Sequence, residues 1–352
     1  MRLRLLGLMS FVVLAACSSA TTPAEAPAPA SAVPLSTAGR LFVSNETSGT
    51  ITVIDVASRT VVATIPVGKR PRGIRLSPDG QRVFVALSGS PIAPPGVDED
   101  TLPPADKQAD GIGIVNVGTL KLERIVRGGS DPEQTAVTLD GKLLFVANED
   151  VGEVSVISVD DGHVVATFKV GGEPEGVDLR PDGQVVYVTS EEDSHVAVID
   201  AIGLKLLKTF TVGPRPRSTA FLPDGSRAYV TSENGGYVSV IDAQKHEVIG
   251  RITFEGEMIR PMGVAVSADG ARLFVSTGRG KRLMIVDTKT NAVISSIEVG
   301  DRPWGLGVTR DGKLAFTANG PSNDVTIVDV ASAAVVARVP AGQRPWGVVF
   351  VP

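Results

Sequence analysis

Short runs of apolar residues, separated by polar turns, recur along almost the whole chain after residue 38. In the clearest unit, which spans 174–213, the pattern predicts four strands: Gly176–Arg180, Val185–Thr189, Val196–Asp200 and Leu206–Thr211. Each run is rich in Val, Ile and Leu and too short for a typical helix, which favours strands. A Pro-Asp-Gly turn joins the first two strands, and polar loops join the others.

The unit repeats with a countable period. The proline that opens each unit stands at Pro71, Pro132, Pro174, Pro216, Pro261, Pro303 and Pro345. The intervals are 61, 42, 42, 45, 42 and 42 residues, and the first contains an insertion within Ser88–Asp110. Units of about forty residues with four strands each are typical of a β-propeller.

The two ends of the array complete each other. The segment from Gly39 supplies a second, third and fourth strand without a first, and the last segment, PWGVVFVP, supplies a first strand alone. Together they make one blade, and such closure removes the free sheet edges. The sequence therefore predicts an all-β, seven-bladed propeller with four antiparallel strands per blade, closed by its N- and C-terminal strands.

The first residues have the pattern of an export signal. Arg2 and Arg4 precede a short apolar segment at 5–15, which is too short to span a bilayer. Leu-Ala-Ala-Cys at 14–17 resembles the lipobox of bacterial lipoproteins, which makes Cys17, the only cysteine, the candidate lipidation site. An ordinary signal peptide is the alternative. Ser18 after Cys17 favours the outer membrane in families that sort by this residue.

These features divide the chain into a lipoprotein signal peptide at 1–16, a tether at 17–37 and a propeller at 38–352. The tether consists of Ala, Pro, Ser and Thr and cannot form a core. The net charge of −5 gives no overall basic footprint for nucleic acid. We expect a monomer in the cell envelope that is held to the membrane by its lipid.

Several recurring residues have structural explanations. We expect one aromatic residue in each second strand to be core, and two series of aspartates to close turns by bonding nearby backbone. His163, His195 and His246 lack the spacing of metal ligands, and we expect them to be solvated. The sequence predicts no catalytic residue, no metal and no cofactor.

The residues on either side of the repeated proline are the candidate binding site, because first strands lie innermost and these positions should ring the mouth of the central channel. The candidates are Arg70, Arg72, Glu173, Glu175, Arg215, Arg217, Arg260, Arg302, Trp304, Arg344 and Trp346. Asp131 and Glu133 add to the acids, and Met262 completes the set. Arg binds carboxylate and phosphate, and Trp and Arg are common interface anchors. Simple solvation of the rim is the alternative.

The insertion at 88–110 should lie on the same side as the mouth, as a lid or a docking loop. It holds five prolines and five acids: Asp98, Glu99, Asp100, Asp106 and Asp110. Calcium binding through 98–100 is an alternative, although the spacing of a calcium loop is missing.

The segments VYVTSEEDSHVAVIDA and LFVANEDVGEVSVISV and the recurring V-G-x-x-P-x-G resemble the YVTN-type β-propeller repeat family from Gly39 to Pro352. FVSNETSGTITVIDV, FTANGPSNDVTIVDV and GQRPWGVV look closest to propellers associated with pyrroloquinoline-quinone-dependent catabolism. That resemblance implies an exported protein linked to quinoprotein alcohol oxidation. The insertion and the lipobox are departures from it.

We therefore expect a lipid-anchored binding or scaffold propeller, whose partner would be an envelope protein such as a periplasmic dehydrogenase or a transport component. A lactonase-like hydrolase is the alternative, with His195 or Glu175 near the mouth. Single-stranded nucleic-acid binding at the same mouth is a weaker alternative.

Overall fold

The computed structural model describes residues 39–92, 97 and 101–352. The predicted signal peptide, Cys17 and the tether lie outside the described residues, as do the insertion acids at 98–100. The fold is the predicted all-β propeller, with seven sheets of four antiparallel strands.

Blade 1 contains strands from both ends of the array. Its sheet order is β28-β1-β2-β3, with bounds β1 Arg40–Asn45, β2 Thr50–Asp55, β3 Thr60–Pro66 and β28 Pro345–Val351. The innermost strand β28 pairs with β1, for example Phe42 with Val349. The predicted closure of the ring is therefore confirmed.

The other blades follow in chain order. Blade 2 is β4 Pro71–Leu76, β5 Arg82–Leu87, β6 Gly111–Asn116 and β7 Lys121–Val126. Blade 3 is β8 Pro132–Val137, β9 Leu143–Asn148, β10 Glu153–Ser158 and β11 Val164–Lys169. Blade 4 is β12 Pro174–Leu179, β13 Val185–Ser190, β14 His195–Asp200 and β15 Lys205–Thr211.

The last three blades complete the ring. Blade 5 is β16 Pro216–Phe221, β17 Arg227–Ser232, β18 Tyr237–Asp242 and β19 Glu247–Thr253. Blade 6 is β20 Val264–Val266, β21 Arg272–Ser276, β22 Arg282–Asp287 and β23 Val293–Glu298. Blade 7 is β24 Pro303–Val308, β25 Leu314–Asn319, β26 Asp324–Asp329 and β27 Ala334–Pro340. Short 3-10 turns lie at Lys107–Ala109, Glu149–Val151 and Gly278–Gly280.

The predicted strands of blade 4 are correct to within two residues. The first strand begins at Pro174 rather than Gly176, because Pro174 already faces Ser190 before a register shift that ends at Val177. The fourth strand begins one residue before its predicted start, at Lys205, which pairs with Asp200.

The core lies between neighbouring blades, because both faces of each sheet are covered. The aromatic residue of each second strand is buried, as predicted: Phe42, Phe84, Phe145, Tyr187, Tyr229, Phe274 and Phe316. Phe84, for example, packs with Val137 and Leu144 of the next blade. Burial of one such side chain stabilises the fold by about 1.5–3 kcal/mol.

Hydroxyl groups join adjacent blades near the channel. Ser276 Oγ accepts a bond from Gly263 N (2.9 Å) within blade 6 and donates to the Trp304 carbonyl of blade 7 (3.1 Å). Ser44 makes the same pair of contacts to Gly347 N and the Arg72 carbonyl. These bonds fix the spacing of the residues that ring the mouth.

The predicted turn roles of the aspartates are confirmed. In the turn after a first strand, Asp182 Oδ1 accepts from Gln184 N at 3.0 Å. In the link after a third strand, Asp200 Oδ1 accepts from Ile202 N at 3.0 Å. Both carboxylates therefore satisfy backbone donors and shape the turns.

Within the described ranges, no helix is both long and apolar enough to cross a membrane.

Candidate functional site

The residues beside the repeated proline adopt an unusual backbone. Six of the seven residues that precede it have positive φ: Arg70, Asp131, Glu173, Arg215, Arg302 and Arg344, with values from 38° to 54°. A non-glycine residue in this region costs on the order of 1 kcal/mol or more. The strain is held in place by hydrogen bonds within the blade; the Arg344 carbonyl, for instance, accepts from Glu46 N of the same blade at 2.9 Å.

A second series of acids surrounds the same mouth, and sequence analysis missed it. Each of these glutamates directly follows the second strand of its blade: Glu46, Glu149, Glu191 and Glu233. The signal was present in the repeat, since the same position holds Glu in four of the units. The mouth therefore carries more carboxylates than the positions beside the prolines suggested.

Arg72 is buried in the centre of an acidic cluster. Its side chain is only 1% exposed, and it pairs with Asp131, Glu133 and Glu149 of the next blade. Burial raises the pKa of Glu133 well above its ordinary value. Burial acts to raise the pKa of Glu149. The positive charge of Arg72, together with hydrogen bonds from Glu133 and Arg72, outweighs burial and lowers this pKa to about 2. Arg72 thus serves to neutralise the acids of blade 3.

Arg217, which belongs to blade 5, has a similar environment further along the ring. It lies 2.7 Å from Glu175, pairs closely with Glu191 and stands 3.7 Å from Glu233. Burial raises the pKa of Glu175 to about 7 in spite of Arg217. Arg215 lies beside this cluster, 2.8 Å from Glu191 and 46% exposed.

Glu46 joins the closing blade to its neighbour. It accepts from Arg70 at 3.1 Å and stands 3.3 Å from Arg344. Arg70 also donates to the carbonyls of Ser90 and Pro91, so it attaches the start of the insertion to the rim. The described end of the insertion is fixed by Asp110, which accepts from Gly89 N at 2.7 Å.

Blades 6, 7 and 1 form a different sector, which we call the Arg/Trp sector and define as Arg260, Arg302, Trp304, Arg344 and Trp346. The guanidiniums of Arg302 and Arg344 lie 5.1 and 5.4 Å from the centroid of the Trp304 ring. Arg260 bonds Asn234 Oδ1 at 3.1 Å and is paired with no carboxylate in the described part of the chain. The sector is therefore rich in positive charge.

Arg302 shows the excess of positive charge in this sector most clearly. Among the described residues it makes no ion pair and no hydrogen bond to an acid, whereas Arg72 and Arg217 each contact several. Burial lowers its pKa, and the nearby cations Arg279 and Arg344 lower it further, with Glu233 acting in the opposite sense. A half-buried guanidinium among other cations favours the approach of an anion.

A cavity of about 390 Å³ occupies the channel beneath the mouth. Its polar wall comes from blades 2 to 5, where Arg75 lies 3.3 Å from Asp178 and donates to the carbonyls of Thr135 and Val177. Burial raises the pKa of Asp178 to about 6, although Arg75 opposes this. Sequence analysis did not find Arg75 and Asp178, because charged residues occupy this position of the first strand in only two of the seven units.

The opposite wall of the cavity is apolar. It is lined by Leu306, Val308, Val348 and Phe350 together with Trp304 and Trp346 of the Arg/Trp sector. Trp304 Nε1 is buried and has no hydrogen-bond acceptor among the residues that the structure describes. The two tryptophans therefore belong both to the rim and to the cavity.

Two of the histidines are less solvated than expected. His246 is half-buried, with Nδ1 2.6 Å from the hydroxyl of Tyr187, and burial lowers its pKa. His195 Nε2 lies 2.7 Å from the Val170 carbonyl. His163 is exposed beside Asp161, as expected. In the described ranges, no group of three or more His, Cys, Asp or Glu side chains is arranged to hold a metal ion.

Residues 33–202 match the family model described as Choice-of-anchor I domain. The match covers a little less than half of the chain and includes blades 2 and 3 and parts of blades 1 and 4. No curated protein matches the chain.

Three solved structures illustrate the likeness in fold. Hydrazine synthase from Kuenenia stuttgartiensis aligns with a TM-score of 0.68 at 23% identity, over 80% of this chain and 90% of that one. A protein of unknown function from Desulfotomaculum acetoxidans has a TM-score of 0.73 at 15% identity, over 89% and 98%. A candidate 6-phosphogluconolactonase from Bacteroides fragilis has a TM-score of 0.72 at 19% identity, over 91% and 100%. At these identities the likeness shows the propeller fold alone.

Proposed function

We propose that this protein is an exported, surface-associated binding propeller that engages an anionic group of a partner protein at the Arg/Trp sector. The observation that carries the proposal is the state of Arg302. Its guanidinium lies 5.1 Å from the Trp304 ring and makes no ion pair in the described part of the chain. Arg72, by contrast, is 1% exposed and surrounded by acids.

The chemistry of the sector suits an acidic side chain or C-terminus. Arginine presents a fork of donors that matches a carboxylate, and such charge-assisted bonds are roughly twice as strong as neutral ones. Trp and Arg are also the residues on which binding energy concentrates at interfaces. Arg70, Arg215, Glu173 and the paired acids would form the polar rim around that contact.

The proposed surface association rests on two observations, the N-terminal sequence pattern and the family match. The export pattern at 1–16 and the lipobox cysteine Cys17 point to a lipid-anchored protein, and the match at 33–202 to a Choice-of-anchor I domain supports anchoring at a surface. We propose the outer membrane as the anchored membrane. We propose that the partner is an envelope protein such as a periplasmic dehydrogenase or a transport component.

Binding of a labelled oligoglutamate peptide, measured by fluorescence anisotropy, tests the anion preference. Arg302→Gln should weaken binding about tenfold, the effect of losing one charge-assisted contact. Arg310→Gln is the matched control, since Arg310 is exposed beside the turn at Asp311, away from the mouth. Equal binding by the two variants would contradict the proposal.

Capture from the native envelope then identifies the partner. The lipidated protein and its Arg302→Glu and Arg310→Glu variants would be crosslinked and purified in parallel. A protein that is retained by the wild type and the Arg310 variant but lost from the Arg302 variant would support the proposal. A partner retained by all three variants binds elsewhere.

A further inference from the structure

The channel cavity and the Arg/Trp sector form one continuous amphipathic environment. Trp304 belongs to both, because it lines the cavity and two guanidiniums stand within 5.4 Å of its ring centroid. An anion at the rim would therefore be next to an opening with an apolar wall. The volume of about 390 Å³ lies in the range of small-molecule sites.

We propose that this cavity binds a small amphipathic anion, with its oxyanion at Arg302 and Arg344 and its apolar ring against Trp346 and Leu306. The proposal rests on the proposed function, since it uses the same cations, and it adds a ligand class and a second contact surface. A free small molecule is the occupant to which it commits; an apolar C-terminal residue of a protein is an outcome of the test.

The division of the cavity into two walls determines the orientation of such a ligand. The apolar wall is contributed by blades 6, 7 and 1, the same blades that carry the Arg/Trp sector. The polar wall carries Arg75, Asp178 and Glu175, whose own ion pairs leave little positive charge for a second anion. The oxyanion is therefore favoured at the rim, and the ring lies along Trp346.

Titration calorimetry with defined probes tests the proposal on the purified propeller. The probes are 2-naphthalenesulfonate, which has a head and a ring, the neutral 2-naphthalenemethanol, and methanesulfonate, which has the head alone. We expect 2-naphthalenesulfonate to bind at least about tenfold more tightly than either control, because only it uses both the cations and the apolar wall. Equal binding of the neutral probe would overturn the oxyanion site.

Two variants locate the binding. Leu306→Trp should abolish it by filling the cavity, and Trp346→Ala, which needs no extra space, should weaken it about tenfold by removing the ring contact. Circular dichroism and thermal melting verify that each variant is folded. If 2-naphthalenesulfonate binds both folded variants as it binds the wild type, it binds elsewhere and the proposal is wrong.

The oligoglutamate assay separates this proposal from the proposed function. If the peptide binds through Arg302 and 2-naphthalenesulfonate does not bind, the cavity inference fails and the rim function stands. If neither binds, both fail. A peptide ending in Phe that outcompetes 2-naphthalenesulfonate, and whose binding is lost in Leu306→Trp, would replace the small molecule with a protein C-terminus as the occupant.

Discussion

The guanidinium of Arg344 lies 5.4 Å from the ring centroid of Trp304, and the two residues belong to adjacent blades. The contact crosses the joint between blade 7 and the closing blade 1. It therefore has two roles, since it places a cation at the rim of the mouth and it adds to the attraction between blades. Arg302, from the same blade as Trp304, supplies a second cation to the ring.

A double-mutant cycle should detect this cross-blade contact. We expect Arg344→Gln and Trp304→Leu to show a coupling free energy of about 0.5–1 kcal/mol in urea unfolding, the usual strength of a cation–π contact that is partly exposed. The pair Arg251 and Tyr237, 4.4 Å apart within blade 5, is the positive control. Strict additivity of the two single changes would show that the rim contact contributes nothing to stability.

Replacement of Arg72 should destabilise the propeller far more than loss of an exposed ion pair. Arg72→Met leaves the acids of blade 3 buried without their cation, a change that costs about 3–5 kcal/mol. Lys69→Met is the control, because Lys69 and Asp106 are 62% and 45% exposed and solvent screens their attraction, so this variant should unfold close to wild type. Urea midpoints and slopes measure both, and similar values for the two variants would contradict the assignment.

Two glycines of the inner strands should respond differently to alanine. A Cβ on Gly263 would lie 2.3 Å from the Trp304 carbonyl, so Gly263→Ala must push blades 6 and 7 apart and should cost about 1–3 kcal/mol. A Cβ on Gly307 would meet the Val348 carbonyl only at 3.5 Å, so Gly307→Ala should be neutral or slightly stabilising. Thermal melting measures the stability of the two variants. A large loss of stability in Gly307→Ala would show that the inner strands are packed more tightly than described.

Glu175 should make the protein less stable as the pH rises. Burial raises its pKa from 4.5 to about 7, so between these values the folded state keeps a proton that the unfolded state has released. The free energy of unfolding therefore falls across this window, with a limiting slope of about 1.4 kcal/mol per pH unit. Glu175→Gln removes the titration, so the variant should gain relative to wild type between about pH 5 and about pH 8.

The measurement for this prediction is the urea midpoint of both proteins across the window. Asp178 also has a raised pKa, so Asp178→Asn provides an independent comparison and should flatten a lower part of the same profile. Parallel profiles for wild type and Glu175→Gln would mean that Glu175 ionises normally in the folded protein.

The repeat made the fold predictable, whereas the pairing of side chains at the mouth was not. Apolar periodicity and the turn residues determine the strands, and the position of Pro345 implied the closing blade. The spacing of Arg72 along the chain, however, gives no sign that it turns into the next blade and is buried by Asp131. The partners depend on the rotation between blades, which no single unit encodes.

The Arg/Trp sector was found because its residues flank the repeated proline. Its distinction from the other blades could not be predicted, because it depends on where carboxylates are missing as much as on where arginines are present. Glu46, Glu149, Glu191 and Glu233 follow second strands, and the corresponding positions of blades 6 and 7 hold Gly278 and Gly320. Blade 2 holds Ser88 at that position, yet its Arg70 and Arg72 are paired with acids of the neighbouring blades, so this position alone does not locate the unpaired cations.

The pairing of β28 with β1 has a consequence for the order of folding during synthesis. Strand β1, at Arg40–Asn45, leaves the ribosome long before its inner partner at Pro345–Val351. Until that partner arrives, blade 1 lacks its innermost strand, and the faces that it offers to blades 2 and 7 stay incomplete. The ring therefore cannot close before the last strand of the chain is available, and its closure requires a strand pairing of very long sequence separation.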